Sequence, residues 1–289
     1  MTTDTTPSEL ELLSQHRCHG GWQRFYQHHS ATIGLPMRFS AFVPDAAAAG
    51  PVPALFYLAG LTCTEETFPI KGGAQRLASQ LGIMLIAPDT SPRGAGVDGE
   101  GDDWDFGTGA GFYLDATEPA WRDHYRMHAY IVDELHGLAT TTLGADAMRV
   151  GIFGHSMGGH GALVLALRNP EKFRSVSAFA PIAAPMQCPW GKKAFTGYLG
   201  TDTSTWASWD ASALMRQAKR PFPQGILIDQ GLSDNFLAEQ LYPDVFEQAC
   251  AQAAQPLELR RHEGFDHGYY FISTFMDDHI RFHAQQLAR

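Results

Sequence analysis

The residues whose types and spacing could do chemistry begin with a serine between glycines. Gly154-His155-Ser156-Met157-Gly158 has the G-x-S-x-G spacing of a nucleophile elbow, where a strand turns sharply into a helix and exposes a serine at the bend. Such a turn strains the serine backbone and needs small flanking residues, because the two chain segments pass too close for side chains. In a chain with 29 glycines the pattern alone says little. Its context says more. The apolar run Val150–Phe153 precedes it, and Gly159–Arg168 (GHGALVLALR) follows as a helix stopped by Asn169-Pro170.

A serine alcohol is a poor nucleophile until a base takes its proton, so an acid and then a histidine should follow it in the chain. Chain order removes the histidines before Ser156, and His160 lies one turn into the helix, too near the bend to swing over it. Of the remaining four, His279 and His283 belong to a C-terminal helical pattern and are expected to face solvent or the helix-packing surface. His262 ends a strand and stays possible. His267, in the glycine-flanked loop Glu263–Gly268 after the last strand, is favoured, since a loop at a strand end can carry an imidazole to the serine. Among the acids, Asp234 lies in the turn after the strand GILID and is favoured; Asp229, expected half-buried at the end of that strand, is its main rival. Asp266 adjoins His267 and should point away from it. An oxyanion hole needs two backbone N–H groups, here expected from Met157 and from Leu61, with Gly60 letting the loop approach.

Short apolar runs must position these groups. Ala54–Leu58, Ile83–Ala87, Val150–Phe153, Val176–Ala180, Ile226–Ile228 and Leu257–Arg261 alternate with helical stretches at Ala74–Leu81, Trp121–Leu138, Gly159–Arg168 and Ala238–Ala254. Nearly continuous apolar strands between helices are what a parallel sheet covered on both faces requires. Ahead of them, Trp22–Ile33 and Leu35–Val43 read as an antiparallel hairpin, and Asp45–Pro53 as an exposed connection. The expectation is one α/β domain over residues 1–289, with residues 1–8 disordered.

Composition narrows the partners. Twenty-one Lys and Arg against 31 Asp and Glu give a net charge of −10, which argues against nucleic acid and anionic membrane. The N-terminal residues carry no basic, apolar signal pattern, no run is long enough to span a bilayer, and four scattered cysteines form no CxxC pair; free thiols in a reducing cytoplasm fit best. No metal is expected. His124 and His128 have helical metal-pair spacing but no HExxH glutamate, and read as a surface or capped pair. Asp98, Glu100, Asp102, Asp103 and Asp105 lack the calcium-loop spacing and read as a solvated loop.

The blocks YLAGLTCTEETF, APDTSPRG, WDFGTGAGFYLDAT, GHSMGGHGAL, PWGKKAFTGYLG and EGFDHGYYFISTF closely resemble those of the S-formylglutathione hydrolases, the esterase D family, and the similarity covers nearly the whole chain from about Cys18 onward. The resemblance implies an α/β-hydrolase fold and a cofactor-independent serine thioesterase that converts S-formylglutathione to glutathione and formate in formaldehyde detoxification, with side activity on small activated esters. It implies a cytoplasmic homodimer, and its serine, aspartate and histidine fall on Ser156, Asp234 and His267. It also marks Cys63 as a thiol near the site; no adjacent basic residue makes it a nucleophile, so its modification should hinder the site from outside the chemistry. The chain departs from the family in the loop GVDGEGDDWDFG and in lacking a lysine at Gly231–Asp234, which bears on substrate affinity more than on reaction type.

A formyl carbon carries only hydrogen, so bulky Trp104, Trp190 or Phe236 could narrow the acyl pocket, although each could equally be a core or rim aromatic. Glutathione carries carboxylates, which Lys192 or Lys193 could meet; a solvated lysine pair is the alternative.

Overall fold

The computed structural model describes residues 10–288. Nine strands form one sheet in the order β1-β2-β3-β5-β4-β6-β7-β8-β9. The apolar runs supply its parallel part: β4 (Val52–Leu58), β5 (Met84–Pro88), β6 (Ala145–His155), β7 (Ser175–Phe179), β8 (Ile226–Gly231) and β9 (Leu257–His262) all run the same way. Strands β5, β7 and β8 are buried along their whole length, as expected where helices cover both faces. The helix Met157–Arg168 packs on β4, β6 and β7 and against the helix Ala211–Gln217, while the C-terminal helix Tyr269–Leu287 packs on β6, β7 and β8 beside Gln75–Leu81. This is the architecture of the α/β hydrolases. No helix among the described residues is long and apolar enough to cross a membrane.

The N-terminal antiparallel part is larger than the expected hairpin. β2 (Gly21–His29) and β3 (Pro36–Pro44) pair as anticipated, but β1 (Glu11–Cys18) adds a further strand, and β3 joins the sheet antiparallel to β5. β1 is exposed along nearly all its length, so it shows no alternation of apolar and polar residues to read. The expected disorder of residues 1–8 lies outside the described residues.

Two expected helices are interrupted. Trp121–Tyr125 forms turns, and regular helix begins only at Met127, continuing through a π-helical stretch at Tyr130–Leu135. Wide-turn geometry lets the buried face made by Tyr130, Ile131, Val132 and Leu135 deviate from a strict helical period. The stretch Ala238–Ala254 breaks at Tyr242, whose φ of 51° is left-handed, and restarts at Pro243. Proline cannot continue the preceding helix but is pre-set for the first turn of a new one.

Candidate active site

Strand β6 ends at His155, and the next residue reverses the chain into the helix Met157–Arg168. Ser156 has φ 57° and ψ −118°, a conformation that non-glycine residues avoid. Neighbours on both sides make it obligatory. A Cβ on Gly154 would lie 2.2 Å from the Gly158 carbonyl oxygen, and one on Gly158 would lie 1.9 Å from that of Leu58. The Ser156 amide is anchored by the Phe179 carbonyl at the end of β7, at 3.0 Å.

His267 and Asp234 arrive from separate loops after β9 and β8. Asp234 Oδ2 is 2.5 Å from His267 Nδ1, Asp234 Oδ1 accepts from the Phe236 amide at 2.8 Å, and Gln230 Nε2 donates to Oδ2 at 3.3 Å. Those bonds aim the carboxylate at the ring and leave the imidazole Nε2 as the nitrogen available for proton transfer. The His267 ring also packs on His155, with centroids 4.4 Å apart, and meets Phe236 edge-on at 5.0 Å. Burial, and then the neighbouring His267, push the His155 imidazole far down, so it stays neutral beside a ring that must accept a proton.

The loop after β4 closes over the serine from the other side. A Cβ on Gly60 would stand 3.2 Å from His155 Nδ1 and 3.3 Å from Ser156 Cβ, a tight approach that glycine makes without displacing either. The Tyr113 hydroxyl donates to the Ala59 carbonyl at 2.8 Å, and the Thr62 amide donates to that of Gly109 at 2.9 Å, which fixes the loop. Neither Leu61 N–H nor Met157 N–H donates to a main-chain or side-chain acceptor among the described residues. Met157 is also the first residue of its helix, where the helix dipole favours negative charge. Met157 follows Ser156 and Leu61 follows Gly60, so two amides without a protein acceptor among the described residues lie on the two segments that meet at the serine.

The aromatic residues form a wall next to His267. Phe236 packs against Trp190 at 4.8 Å and Trp190 against Trp104 at 5.6 Å; Trp190 is buried, whereas Trp104 is 56% exposed at the rim. Cys63 belongs to the loop after β4, its thiol pushed up by burial, with Thr67 and Tyr269 as neighbours. Lys192 lies beside Phe106 and Thr196 on a shallow surface groove, while Lys193 is tied to Asp103 and Asp105. The acidic loop is therefore not simply solvated: Lys193 holds its tip, and buried Glu100 accepts from the Ala95 and Gly96 amides at 3.1 and 3.0 Å.

The competing residues are engaged elsewhere, and one expectation among them, for Asp229, is corrected. Asp229 is fully buried rather than half-buried, and it is occupied: Arg260 Nε and Nη2 donate to it at 2.6 Å each, and His262 and His279 lie at 3.1 Å. Burial opposes its charge, but His279 and Arg260 outweigh that and hold the carboxyl below the usual range. Of the two faces expected for His279 and His283, solvent or helix packing, they take the packing one. Both are fully buried, with His279 Nδ1 and His283 Nε2 2.8 Å from Ser177 Oγ and His283 Nδ1 2.6 Å from Ser175 Oγ. Asp266 turns away as expected and accepts from the Gly268 amide at 2.9 Å. His124 and His128 are capped, on the Ile33 carbonyl at 2.7 Å and Asp115 at 3.2 Å. All four cysteines are unpaired. The sequence gives no sign of what His155, Gln230 and Tyr113 do, because only folding sets them against His267, Asp234 and Ala59.

Known proteins resemble the chain in sequence and in fold. The Esterase family model matches residues 30–282. The S-formylglutathione hydrolase of Rattus norvegicus is 52% identical over 96% of this chain and 99% of its own, and that of Mus musculus 53% over the same shares. The solved S-formylglutathione hydrolase of Agrobacterium tumefaciens superposes with a TM-score of 0.93 at 48% identity, over 96% of this chain and 99% of that one. By sequence and by fold, the chain belongs to the esterase family and, within it, to the S-formylglutathione hydrolases.

Proposed function

We propose that this chain, acting as one α/β-hydrolase domain, is a serine thioesterase that hydrolyses S-formylglutathione to glutathione and formate and cleaves small carboxylic esters as a side activity. The observation that carries the reading is the Asp234–His267 contact beside a strained Ser156 at the end of β6. His267 takes the Ser156 proton as the oxygen attacks the formyl carbon, and the Leu61 and Met157 amides receive the negative charge on the carbonyl oxygen. His267 then gives its proton to the departing glutathione sulfur. Water repeats the attack on the formyl-serine, passing its proton to His267, and formate leaves as Ser156 is restored. Every step uses side-chain and main-chain groups of the chain itself.

Phe236 beside His267, with Trp190 behind it, suits a small acyl group, with Trp104 at the rim and Gly60 and Cys63 on the oxyanion loop. Lys192, exposed next to Phe106, is the cation on that side able to meet a substrate carboxylate. The family likeness adds a homodimer and a cytoplasmic location, and four free thiols suit a reducing compartment. The test compares kcat/KM for S-formylglutathione, S-acetylglutathione and an aryl acetate. The formyl thioester should lead, and a preference for the aryl ester would remove the detoxification role.

A further inference from the structure

The loop that carries Leu61 runs on into a second polar cavity on the same edge of the sheet. Where β4 and β5 end and β3 begins, Gln27, Arg38, Thr64, Glu65, Asp89 and Arg93 surround a space of about 560 Å³. Its charges are unevenly satisfied. Asp89 accepts from the Thr90 amide at 2.7 Å and from Arg93 Nε and Nη2 at 2.6 and 2.9 Å, so this ion pair is closed on itself.

Glu65 is different. It is only 5% exposed, yet its carboxylate takes no hydrogen bond from another side chain among the described residues and meets only its own main-chain amide. Burial, with Asp89 nearby, holds its carboxyl above the ordinary range. A nearly buried carboxyl with so few partners is costly unless something else serves as one. Across the cavity, Arg38 Nε donates to Gln27 Oε1 at 3.1 Å, and its terminal guanidinium nitrogens have no hydrogen-bond partner among the described residues. Arg38 and Glu65 attract each other but form no ion pair. The cavity thus presents a nearly buried carboxylate, Glu65, and an exposed arginine, Arg38, held apart, with exposed Glu66 as a second carboxylate in its lining.

That pattern matches a zwitterion. An α-amino acid group carries an ammonium and a carboxylate on one carbon, and a carboxylate and a guanidinium facing each other can take both at once. The substrate under the reading above has one such group, at its γ-glutamyl end; its glycyl end offers a carboxylate alone. Glu65 follows β4, the strand beside β6, and Arg38 lies on β3, three strand spacings from β6 or about 14 Å. We propose that Glu65 and Arg38 form the subsite for the γ-glutamyl α-amino acid group, Glu65 receiving the ammonium and Arg38 the carboxylate. The identity of the ligand rests on the proposed thioesterase activity.

The experiment compares S-formylglutathione with S-formyl-cysteinylglycine, which keeps the reacting thioester and lacks the γ-glutamyl group. The wild-type protein should favour the full substrate. Glu65→Gln and Arg38→Gln should each lower the ratio of the two kcat/KM values by about tenfold or more, the effect of losing one charge-assisted hydrogen bond, mainly through KM, and Arg38→Lys should restore part of it. Both substrates report on one preparation, so a general folding defect lowers both values without changing the ratio; an unchanged ratio overturns the subsite. Titration calorimetry with S-methylglutathione separates the two proposals. If the wild type cleaves neither thioester, the activity reading fails, whereas S-methylglutathione binding weakened about tenfold in Glu65→Gln still supports the subsite, and equal or absent binding overturns it too.

Discussion

Asp234 Oδ2 lies 2.5 Å from His267 Nδ1, a contact made between loops that follow two adjacent parallel strands. The bond selects the tautomer in which Nδ1 carries the proton and Nε2 is a base. Asp234→Asn keeps a polar partner of the same shape but favours the wrong tautomer. We expect kcat for ester hydrolysis to fall by about 10⁴, with the circular dichroism spectrum and urea midpoint close to wild type.

Asp229, five residues earlier, should behave in the opposite way. Its carboxylate is buried among Arg260, His262 and His279, and its removal leaves those donors without their acceptor. Asp229→Ala should lower unfolding free energy by about 3 kcal/mol or more, as when one partner of a buried charge network is deleted. Equilibrium urea unfolding measures the loss, and activity per folded molecule should fall far less than in Asp234→Asn.

The elbow makes a steric prediction. A methyl group on Gly158 would stand 1.9 Å from the Leu58 carbonyl oxygen, inside the backbone of β4, which no side-chain rotation relieves. Gly158→Ala should therefore lose labelling of Ser156 by a fluorophosphonate probe. Wild-type labelling of a soluble Gly158→Ala protein would contradict the packing described here.

Stability should fall with acidification in two windows. Burial lowers His155, His160 (to about 4), His279 and His283, all below the value near 6.5 of an unfolded chain. Their contribution is complete above that value. It is lost as pH falls from about 6.5 toward the folded values, because the unfolded chain binds protons that the fold refuses. For His160 alone the loss by pH 4 is on the order of 3 kcal/mol. Asp229, held below the usual carboxylate range, adds a second loss once pH falls below about 4. Urea midpoints across pH 7.5 to 3.5 should decline throughout, and a flat profile between 6.5 and 4.5 would contradict the buried neutral histidines.

Much of the site was legible because its logic is local. Gly154, Ser156 and Gly158 report a turn whose sterics act over five residues, and chain order with loop chemistry singled out Asp234 and His267, which the fold brings into contact. The parallel strands were readable because burial on both faces leaves them uniformly apolar. What escaped depends on distant partners. The sequence leaves His279 and His283 on either the solvent or the packing face of their helix, and only Ser175, Ser177 and Asp229 across from them decide for burial. β1 is a strand only because β2 offers it an edge, since its own residues face solvent. The break at Tyr242 was marked by Pro243, a signal outweighed in sequence by the helical composition on either side.

The central claim is tested most directly by quenching the protein during turnover of S-formylglutathione and mapping the acyl adduct by peptide mass spectrometry, alongside thiol release by Ser156→Ala. The account predicts a formyl group on Ser156 and thiol release reduced to background in a folded variant. Thiol release at the wild-type rate from Ser156→Ala, or a formyl adduct on another residue such as Cys63, would contradict it.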